Sequence, residues 1–522
     1  MDAQRLHEAL LQPESYPGVS GPIGFRETHV SRIYFTPRHV YKVKKSVDFG
    51  FLNFTTLDRR RFYCNEEVRL NRRLCPDTYL GVVELRMQGD RLRVGGKGDI
   101  VDYAVHMKRL PEELMLERCL SPDYPALREQ MGRVSRRISR FHREAEVDNG
   151  EGSDDLANVE RNWRENFSQT RPFVGLTLTE EAFNLCFTYV ERFLSANAPL
   201  LRQRQTDGWV RDGHGDLHAE HICLSDPVRI FDCIEFNRRF RVTDVAADLA
   251  FLLMDLEFRS RKDMADHLLS VYKENLAPGS GLDRVLPFYK LYRAYVRGKV
   301  DSFLAVDPNA APETKTMAGQ VARRYFNQAL GYLCPVLLVA TCGLMGTGKT
   351  TLAQALAPVL GAQLLRSDQL RKTLAGLPEH APCSAPFGGG IYSPEFSAKT
   401  YDDLLQRTVS KLKTGGSVIA DASFIKRADR DRFRMAAEAA GIPFVLIQAD
   451  CPADTALSRL AFRRARERDA SDGRPALFRK QEGAFEYPGE MEKAIHVDTT
   501  ADVDYNVQLI ICEILERAGT RS

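Results

Sequence analysis

Residues 343–350 read GLMGTGKT and satisfy the spacing GxxxxGK[ST] of a phosphate-binding loop. An apolar run, VLLVATC, precedes them, and a helix-like segment, TTLAQALAPVL, follows. Glycines at this spacing let backbone N–H groups curl around phosphates, while Lys349 reaches the β and γ oxygens and Thr350 supplies a magnesium ligand. The pattern predicts a site for ATP or GTP with Mg²⁺, built from Gly343, Gly346, Thr347, Gly348, Lys349, Thr350 and Thr351.

Carboxylates follow two further apolar runs in the same third of the chain. The run VIAD ends in Asp421, which is placed to position magnesium, and the next residue is Ala422 instead of the water-activating glutamate of many ATPase motors. Asp368 follows another run, where ligands of open α/β sheets bind, and could accept the proton of an acceptor hydroxyl. A helix N-cap is the alternative role for Asp368. Arg371, one helical turn later, is expected to face the same pocket and bind substrate.

The arginine-dense stretch SRLAFRRARERDASDGRPALFRK is interpreted as a lid. Arginines such as Arg464 and Arg468 would close over the transferring phosphate, with Arg468 acting in catalysis. A nucleic-acid surface is the alternative, because basic clusters can follow phosphates. The stretches GLMGTGKTT, RSDQLRK, VIADASF and RERDASD resemble those of small P-loop kinases of the gluconate-kinase and zeta-toxin type, over roughly residues 335 to 515.

A second set of catalytic residue types lies in DGHGDLHAEHICL and RIFDCIEF, which carry Asp216 and Asp232. These stretches resemble the catalytic loop and metal aspartate of aminoglycoside phosphotransferases and related small-molecule kinases, whose signature HGDxxxxN maps onto residues 214–221. The resemblance implies that Asp216 deprotonates an acceptor hydroxyl and that Asp232 holds magnesium. His221 replaces the metal-binding asparagine of that family. Imidazole is a poor magnesium ligand, so His221 is expected to contact a phosphate, to favour Mn²⁺ or to mark a weakened site.

The same resemblance gives a role to Lys42 in the stretch VYKVKKSVDFGF, at residues 40–51. Lys42 fits the lysine that binds ATP phosphates, Glu67 is its expected ion-pair partner with Glu66 as the alternative, and Met107 would lie beside the adenine. Asp48-Phe49-Gly50 precedes the catalytic loop, where it cannot hold magnesium, and is interpreted as a turn. The expected GxGxxG loop over the phosphates is missing from the sequence. This departure, together with His221, supports an alternative in which the N-terminal module senses nucleotide or restrains a toxin-like partner.

The acceptor of the N-terminal module is expected to be anionic or sugar-like. The stretch FYKLYRAYVRGKVDSF places Arg293 and Arg297 four residues apart on a helix, a surface that suits bidentate binding of phosphate or carboxylate. A solvated basic helix face is the alternative. Aminoglycosides are polycations, so their phosphorylation is not expected.

Overall composition limits the class of protein and its partners. A chain of 522 residues needs more than one core, and its net charge of +3 gives no electrostatic case for nucleic acid or membrane. Eleven cysteines without a CxxC pair and no N-terminal apolar segment favour a reduced, cytoplasmic setting, while the oligomeric state is left open. Residues 28–45 alternate in a β manner around Thr36-Pro37-Arg38, which predicts a hairpin, and the patterns from about 115 to 205 and from 244 to about 332 are mostly helical. The expected fold is multidomain, α+β and α/β. A protein-kinase-like bilobal fold covers residues 1–330, with an N-lobe to about 110 and a C-lobe from about 111. A P-loop doubly wound parallel sheet follows over residues 331–522.

Overall fold

A computed structural model of the chain describes residues 2–50, 52–148, 154–277, 279, 281–378, 389–466 and 475–519, with residues 463–466 described by their backbone. The chain divides into two compact units. Unit 1 comprises residues 1–162 and 196–290, and unit 2 comprises residues 163–195 and 291–522. The domain boundary near Gly331 stays a prediction.

Unit 1 begins with a six-stranded antiparallel sheet. Its elements are α1 (Ala3–Leu10), β1 (Gly24–Glu27), β2 (Ser31–Phe35), β3 (His39–Lys44), α2 (Leu57–Asn71), β4 (Tyr79–Gln88), β5 (Arg91–Val94) and β6 (Asp99–Lys108). The strand order is β1-β2-β3-β6-β4-β5. The hairpin expected around residues 36–38 is present as β2 and β3, with Phe35 opposite Val40. Because side chains alternate along a strand, Tyr41 and Val43 enter the core beneath α1, while Lys42 and Lys44 point to the opposite face.

Helices dominate the middle of the chain, as the sequence pattern predicts. They are α3 (Leu116–Cys119), α4 (Leu127–Glu144), α5 (Asp155–Thr170), α6 (Glu180–Thr206), α7 (Arg238–Arg241), α8 (Val245–Phe258), α9 (Lys262–Leu276), α10 (Leu282–Val306) and α11 (Pro312–Gly331). Four short strands pair among them, β7 (Val210–Asp212) with β10 (Val242–Asp244) and β8 (Ile222–Cys223) with β9 (Arg229–Ile230). The boundaries between the two units fall inside α5, α6 and α10.

The C-terminal part of unit 2 alternates strands with helices. The strands are β11 (Leu338–Cys342), β12 (Gln363–Arg366), β13 (Val418–Asp421), β14 (Phe444–Asp450) and β15 (Ile495–Asp498). The helices are α12 (Lys349–Val359), α13 (Ser367–Leu374), α14 (Pro394–Lys413), α15 (Arg427–Ala439), α16 (Ala453–Arg466), α17 (Pro475–Ala484) and α18 (Val503–Gly519). All strand pairs are parallel, in the order β12-β13-β11-β14-β15.

The central strand β11 is buried along its whole length, which explains its unbroken apolar sequence. The predicted mixed α/β class and the parallel C-terminal sheet are therefore confirmed, whereas the kinase-like bilobal fold of the N-terminal part stays a prediction. Among the helices of the described residues, none has the length and apolar character needed to cross a membrane.

Candidate functional site

The loop between β11 and α12 has the backbone of a phosphate cradle. Its glycines Gly343 and Gly346 have φ values of +136° and +81°, in the region that L-residues avoid. A Cβ atom on Gly343 would lie 2.4 Å from the Ala449 carbonyl oxygen, and one on Gly346 would lie 2.6 Å from the Ala456 carbonyl oxygen. Glycine is therefore required at both positions by conformation and by the close approach of β14 and α16.

Two side chains of this segment donate hydrogen bonds to the loop's own backbone. Lys349 Nζ donates to the Leu344 carbonyl oxygen at 2.7 Å, and Thr347 Oγ1 donates to the same oxygen at 2.8 Å. Gly348 is the N-cap residue of α12, so the following N–H groups of that helix begin beside the loop. The lysine thus lies across the loop in which it would bind phosphate, while Thr351 is exposed in the first turn of α12.

Asp421 meets the first turn of α12 at the end of β13. Thr350 Oγ1 donates to Asp421 Oδ2 at 2.7 Å, and Thr341 Oγ1 of β11 donates to Asp421 Oδ1 at 3.0 Å. Arg366 Nε lies 3.7 Å from Asp421 Oδ2. A hydroxyl and a carboxylate offer the oxygen donors that Mg²⁺ prefers, so this pair fits a magnesium ion on bound phosphates.

Arg459 supports the loop from outside, which the sequence interpretation missed. Arg459 Nη1 donates to Thr499 Oγ1 at 2.9 Å, and Arg459 Nη2 donates to the Thr499 carbonyl oxygen at 2.8 Å. Thr499 Oγ1 in turn donates to the Thr347 carbonyl oxygen at 2.7 Å. The only signal was that Arg459 lies in the arginine-dense stretch, where it was interpreted as part of a lid.

Asp368 and Arg371 both lie in α13. The N-cap of α13 is Arg366, and Asp368 lies inside the first turn, so the alternative role of Asp368 as an N-cap is not what the helix shows. Arg371 is buried, and its Nη1 donates to the Ile391 carbonyl oxygen at 2.6 Å and to Ser397 Oγ at 3.1 Å. These contacts connect Arg371 to the segment before α14 and to α14 itself, and a substrate contact of Arg371 stays a prediction. Arg468 and the side chain of Arg464 lie outside the described residues.

In unit 1, two lysines of β3 converge on the carboxylate of Glu67 in α2. Lys42 Nζ lies 3.0 Å from Glu67 Oε1, and Lys44 Nζ lies 2.7 Å from Glu67 Oε2. Lys44 also pairs with Glu235, and Lys42 donates to Asp232 Oδ1 at 2.5 Å. Glu66, the alternative partner, instead binds Arg69 on the surface of α2.

The pKa values of this cluster follow from opposite charges in a buried place. Burial opposes the charged form of Lys42, but the carboxylates of Asp232, Glu67 and Glu235 outweigh it and raise the pKa of Lys42 well above its usual value. Burial likewise raises the pKa of Asp232, but Lys42 outweighs it and holds that pKa well below the usual range. The pair is therefore ionised at neutral pH.

The turn that carries Asp216 is held by a buried carboxylate. Asp248 Oδ2 accepts from the His214 N–H at 2.5 Å, and Asp248 Oδ1 accepts from the Gly215 N–H at 2.7 Å. His214 Nδ1 accepts from the Asp216 N–H at 3.2 Å, while Nε2 lies 3.0 Å from the Phe231 carbonyl oxygen. Burial lowers the pKa of His214 to about 4, so a neutral ring links the Asp216 turn to the segment before Asp232. The Asp248 carboxylate therefore fixes the backbone that carries Asp216.

His221 lies between Asp216, the predicted catalytic residue, and Asp232, the predicted metal ligand. His221 Nδ1 lies 2.9 Å from the Asp216 carbonyl oxygen, and His221 Nε2 lies 3.6 Å from Asp232 Oδ2. Burial lowers the pKa of His221, and the neighbouring His218 acts in the same direction. A neutral imidazole beside a carboxylate fits a cation that accepts both nitrogen and oxygen, such as Mn²⁺, better than it fits Mg²⁺.

Two further parts of the sequence prediction are Met107 and the tripeptide at residues 48–50. Met107, at the end of β6, is opposite Val40 and Tyr79 in the sheet. Asp48-Phe49-Gly50 forms a turn in which Asp48 Oδ1 accepts from the Gly50 N–H at 2.9 Å.

The two arginines expected to bind the acceptor belong to unit 2, whereas Lys42, Asp216 and Asp232 belong to unit 1. Arg293 is buried with its guanidinium carbon 5.5 Å from the Tyr292 ring centroid, and that of Arg297 lies 5.4 Å from the Tyr325 ring centroid. A substrate role for either arginine stays a prediction.

The parallel sheet, the glycine-rich loop and the Thr350–Asp421 pair define the C-terminal part of the chain as a P-loop domain. Residues 338–488 match the family model of an AAA domain. The uncharacterized protein Rv2004c of Mycobacterium tuberculosis is 30% identical over 421 residues, covering 79% of this chain and 80% of the relative. The uncharacterized protein Mb2027c of Mycobacterium bovis matches with the same identity and coverage. The chain belongs to the family of these mycobacterial proteins.

Solved structures that resemble part of the chain include two kinases. A gluconokinase from Sinorhizobium meliloti 1021 is 19% identical with a TM-score of 0.27, covering 36% of this chain and 95% of its own. The APS kinase CysC of Mycobacterium tuberculosis, solved with AMPPNP and APS, is 21% identical with a TM-score of 0.27, covering 35% of this chain and 99% of its own.

Proposed function

We propose that unit 2 transfers the γ-phosphoryl group of ATP or GTP to a hydroxyl group of a small molecule. The observation that carries this proposal is the contact of Thr350 with Asp421 beside the glycine-rich loop, because these two side chains would offer oxygen ligands to a Mg²⁺ ion on the phosphates. Lys349 would exchange the Leu344 carbonyl oxygen for a phosphate oxygen. Asp368 would accept the proton of the acceptor, and Arg371 and Arg468 would bind the substrate and the transferring phosphate.

We further propose that unit 1 is a second phosphotransferase with its own nucleotide site. Support comes from the convergence of Lys42, Glu67 and Asp232. Lys42 would bind the phosphates, Glu67 would hold Lys42 in position, and Asp232 would hold the metal ion on the triphosphate. Asp216 would take the proton of the acceptor hydroxyl. Asp232 and His221 would hold the metal, Mg²⁺ or Mn²⁺, and Met107 would contact the base.

A regulatory role of unit 1 is the second candidate. It is favoured by His221 at the metal position and by the direct ion pair of Lys42 with Asp232, which a nucleotide with its metal would have to open. In that case unit 1 binds nucleotide and changes the rate of unit 2 without transferring phosphate itself.

Acceptors of both units are proposed to be small, anionic or sugar-like molecules, with no nucleic acid as substrate.

All cysteines in the described part of the chain carry free thiols, which supports a reduced, cytoplasmic setting.

The decisive experiment measures ADP formation by the full chain across a panel of small hydroxyl-bearing acceptors. Lys349→Ala should abolish the activity of unit 2, and Asp216→Asn should abolish that of unit 1, because each removes a group used in one site. The exposed residues Lys413 and Asp123 provide matched controls, Lys413→Ala and Asp123→Asn, which should retain both activities. A folded Lys349→Ala protein with unchanged phosphotransfer to every acceptor would contradict the proposal for unit 2. If Asp216→Asn alters only the rate of unit 2, the regulatory role is correct.

A further inference from the structure

Three potential metal ligands gather on the turn that follows β7. Asp216 Oδ2 lies 3.6 Å from His218 Nε2 and 3.5 Å from His221 Nδ1. One ligand atom from each of the three side chains can be chosen so that all lie within 4.8 Å of one another. His218 belongs to no predicted site, since the sequence signature assigned roles to the residues on either side of it.

The backbone holds these three side chains in place before any ion binds. A short 3-10 turn over Ala219–His221 brings the imidazoles of His218 and His221 to a centroid separation of 4.1 Å. The turn is fixed at its start, because Asp255 Oδ2 accepts from the Ala219 N–H at 2.9 Å. His218 is buried, so its ring has little freedom to leave the cluster.

The donor set selects the kind of cation. Ligands bound at about 2.0–2.2 Å to a tetrahedral Zn²⁺ ion are separated by roughly 3.4 Å, which is close to both distances measured from Asp216 Oδ2. Two imidazoles and one carboxylate suit Zn²⁺, Co²⁺, Ni²⁺ or Fe²⁺, whereas Mg²⁺ prefers oxygen ligands.

We infer that Asp216, His218 and His221 form a binding site for a transition-metal dication such as Zn²⁺. His221 offers Nδ1 to this site and Nε2 to the neighbouring Asp232, so the ion would displace the contact of His221 with the Asp216 carbonyl oxygen. Binding occupies the Asp216 carboxylate. If unit 1 is the phosphotransferase proposed above, the ion therefore inhibits it by removing the proton acceptor, and this consequence alone depends on the proposed function.

Metal binding is measured on the full chain after treatment with a chelator. Titration with Co²⁺ in excess Mg²⁺ should produce visible d–d bands from the bound ion. Calorimetric titration with Zn²⁺ should detect one binding site in the unaltered chain. His218→Asn should weaken the affinity at least tenfold, since it removes a direct ligand. The exposed His496 of β15 provides the matched control His496→Asn, which should bind as the unaltered chain does.

Two results would overturn the site. One is equal affinity of the unaltered chain and a folded His218→Asn variant, with folding checked by thermal melting. The other is a thiolate-to-cobalt charge-transfer band in the near ultraviolet as the main signal, because the ion would then be bound by cysteine.

A separate arm tests inhibition in a Lys349→Ala background, where phosphotransfer by unit 2 is silenced. Micromolar Zn²⁺ should reduce the remaining ADP formation, and His218→Asn should lessen that effect. If this background has no activity but Zn²⁺ binding depends on His218, the metal site stands and the proposed function of unit 1 fails. Full activity with Zn²⁺ bound would refute the inhibitory role.

Discussion

Lys44 and its neighbour Lys45 differ in burial and in their ion-pair partners. The Lys44 side chain is fully buried and contacts the carboxylates of Glu67 and Glu235, whereas that of Lys45 is 27% exposed and pairs with Glu27 at 3.1 Å. Lys44 is the last residue of β3, and Lys45 follows the strand. The two lysines therefore allow a buried and a surface ion pair to be compared at adjacent positions.

Lys44→Met is expected to destabilise unit 1 by about 3–5 kcal/mol, because it leaves two buried carboxylates without their shared cation. Lys45→Met should cost no more than about 1 kcal/mol, since surface ion pairs contribute little. Urea unfolding of both variants measures the difference. Equal losses of unfolding free energy would show that Lys44 does not hold the cluster together.

His214 gives unit 1 a dependence on pH. Burial lowers its pKa from the ordinary 6.5 to about 4, so the unfolded chain takes up a proton first as the pH falls. The contribution of neutral His214 to the free energy of unfolding is complete above pH 6.5 and is lost as the pH falls towards 4. Between pH 7 and pH 5 this one group should reduce the free energy of unfolding by about 2 kcal/mol. In urea unfolding at both pH values, the free energy of unfolding of His214→Gln should fall less between pH 7 and pH 5 than that of the unaltered chain. An equal fall would show that other groups cause the acid sensitivity.

At the scale of elements, the phosphate loop depends on the close packing of α16 against Gly346. Gly415, after α14, has a similar φ of +75° but open space around its missing side chain. The two glycines therefore separate the effect of backbone conformation from the effect of crowding.

Gly346→Ala is expected to abolish measurable nucleotide binding to unit 2. The new Cβ would lie 2.6 Å from the Ala456 carbonyl oxygen, so the loop would have to move away from α16. Gly415→Ala carries the conformational cost alone, about 1 kcal/mol, and should bind nucleotide normally. Calorimetric titration with the non-hydrolysable ATP analogue AMPPNP measures both. Normal binding by Gly346→Ala would mean that the loop tolerates the displacement.

The sequence predicted elements better than it predicted side-chain partners. Apolar runs separated by helical stretches were sufficient for the parallel sheet, and alternation around residues 36–38 was sufficient for the β2–β3 hairpin. The Lys349 contact with Leu344 and the support of the loop by Arg459 depend on folding of the loop and on residues far apart in the chain, so no local pattern indicates them. The same holds for Lys44: the sequence has lysines at positions 42, 44 and 45, and only the fold shows that Lys44 pairs with both Glu67 and Glu235.

At the scale of the whole molecule, helix α11 belongs to the same compact unit as the P-loop domain. Its apolar side includes Phe326, Ala329 and Leu330, which are buried, and Asn327 Nδ2 donates to the Asp504 carbonyl oxygen of α18 at 2.8 Å. A chain cut at the predicted boundary of residue 331 would lose this helix and uncover part of α18.

The fragment 331–522 is therefore expected to bind a hydrophobic dye strongly and to elute as aggregates in size-exclusion chromatography, because its apolar surface is exposed. The fragment 312–522 restores α11 and should bind less dye. A monomeric, cooperatively unfolding 331–522 would instead support residue 331 as the true domain boundary.

The order of segments in unit 2 has a consequence during synthesis on the ribosome. Residues 163–195 emerge early, yet several of their partners lie beyond residue 290: the Trp163 and Phe167 rings pack on Tyr295, and Phe173 packs on Phe303. At roughly 5–20 residues per second, these aromatic side chains wait several seconds for those later partners, and unit 2 cannot be completed before the last helix is made. Nascent chains of this protein should therefore be held by chaperones that bind apolar segments, most strongly over residues 163–195.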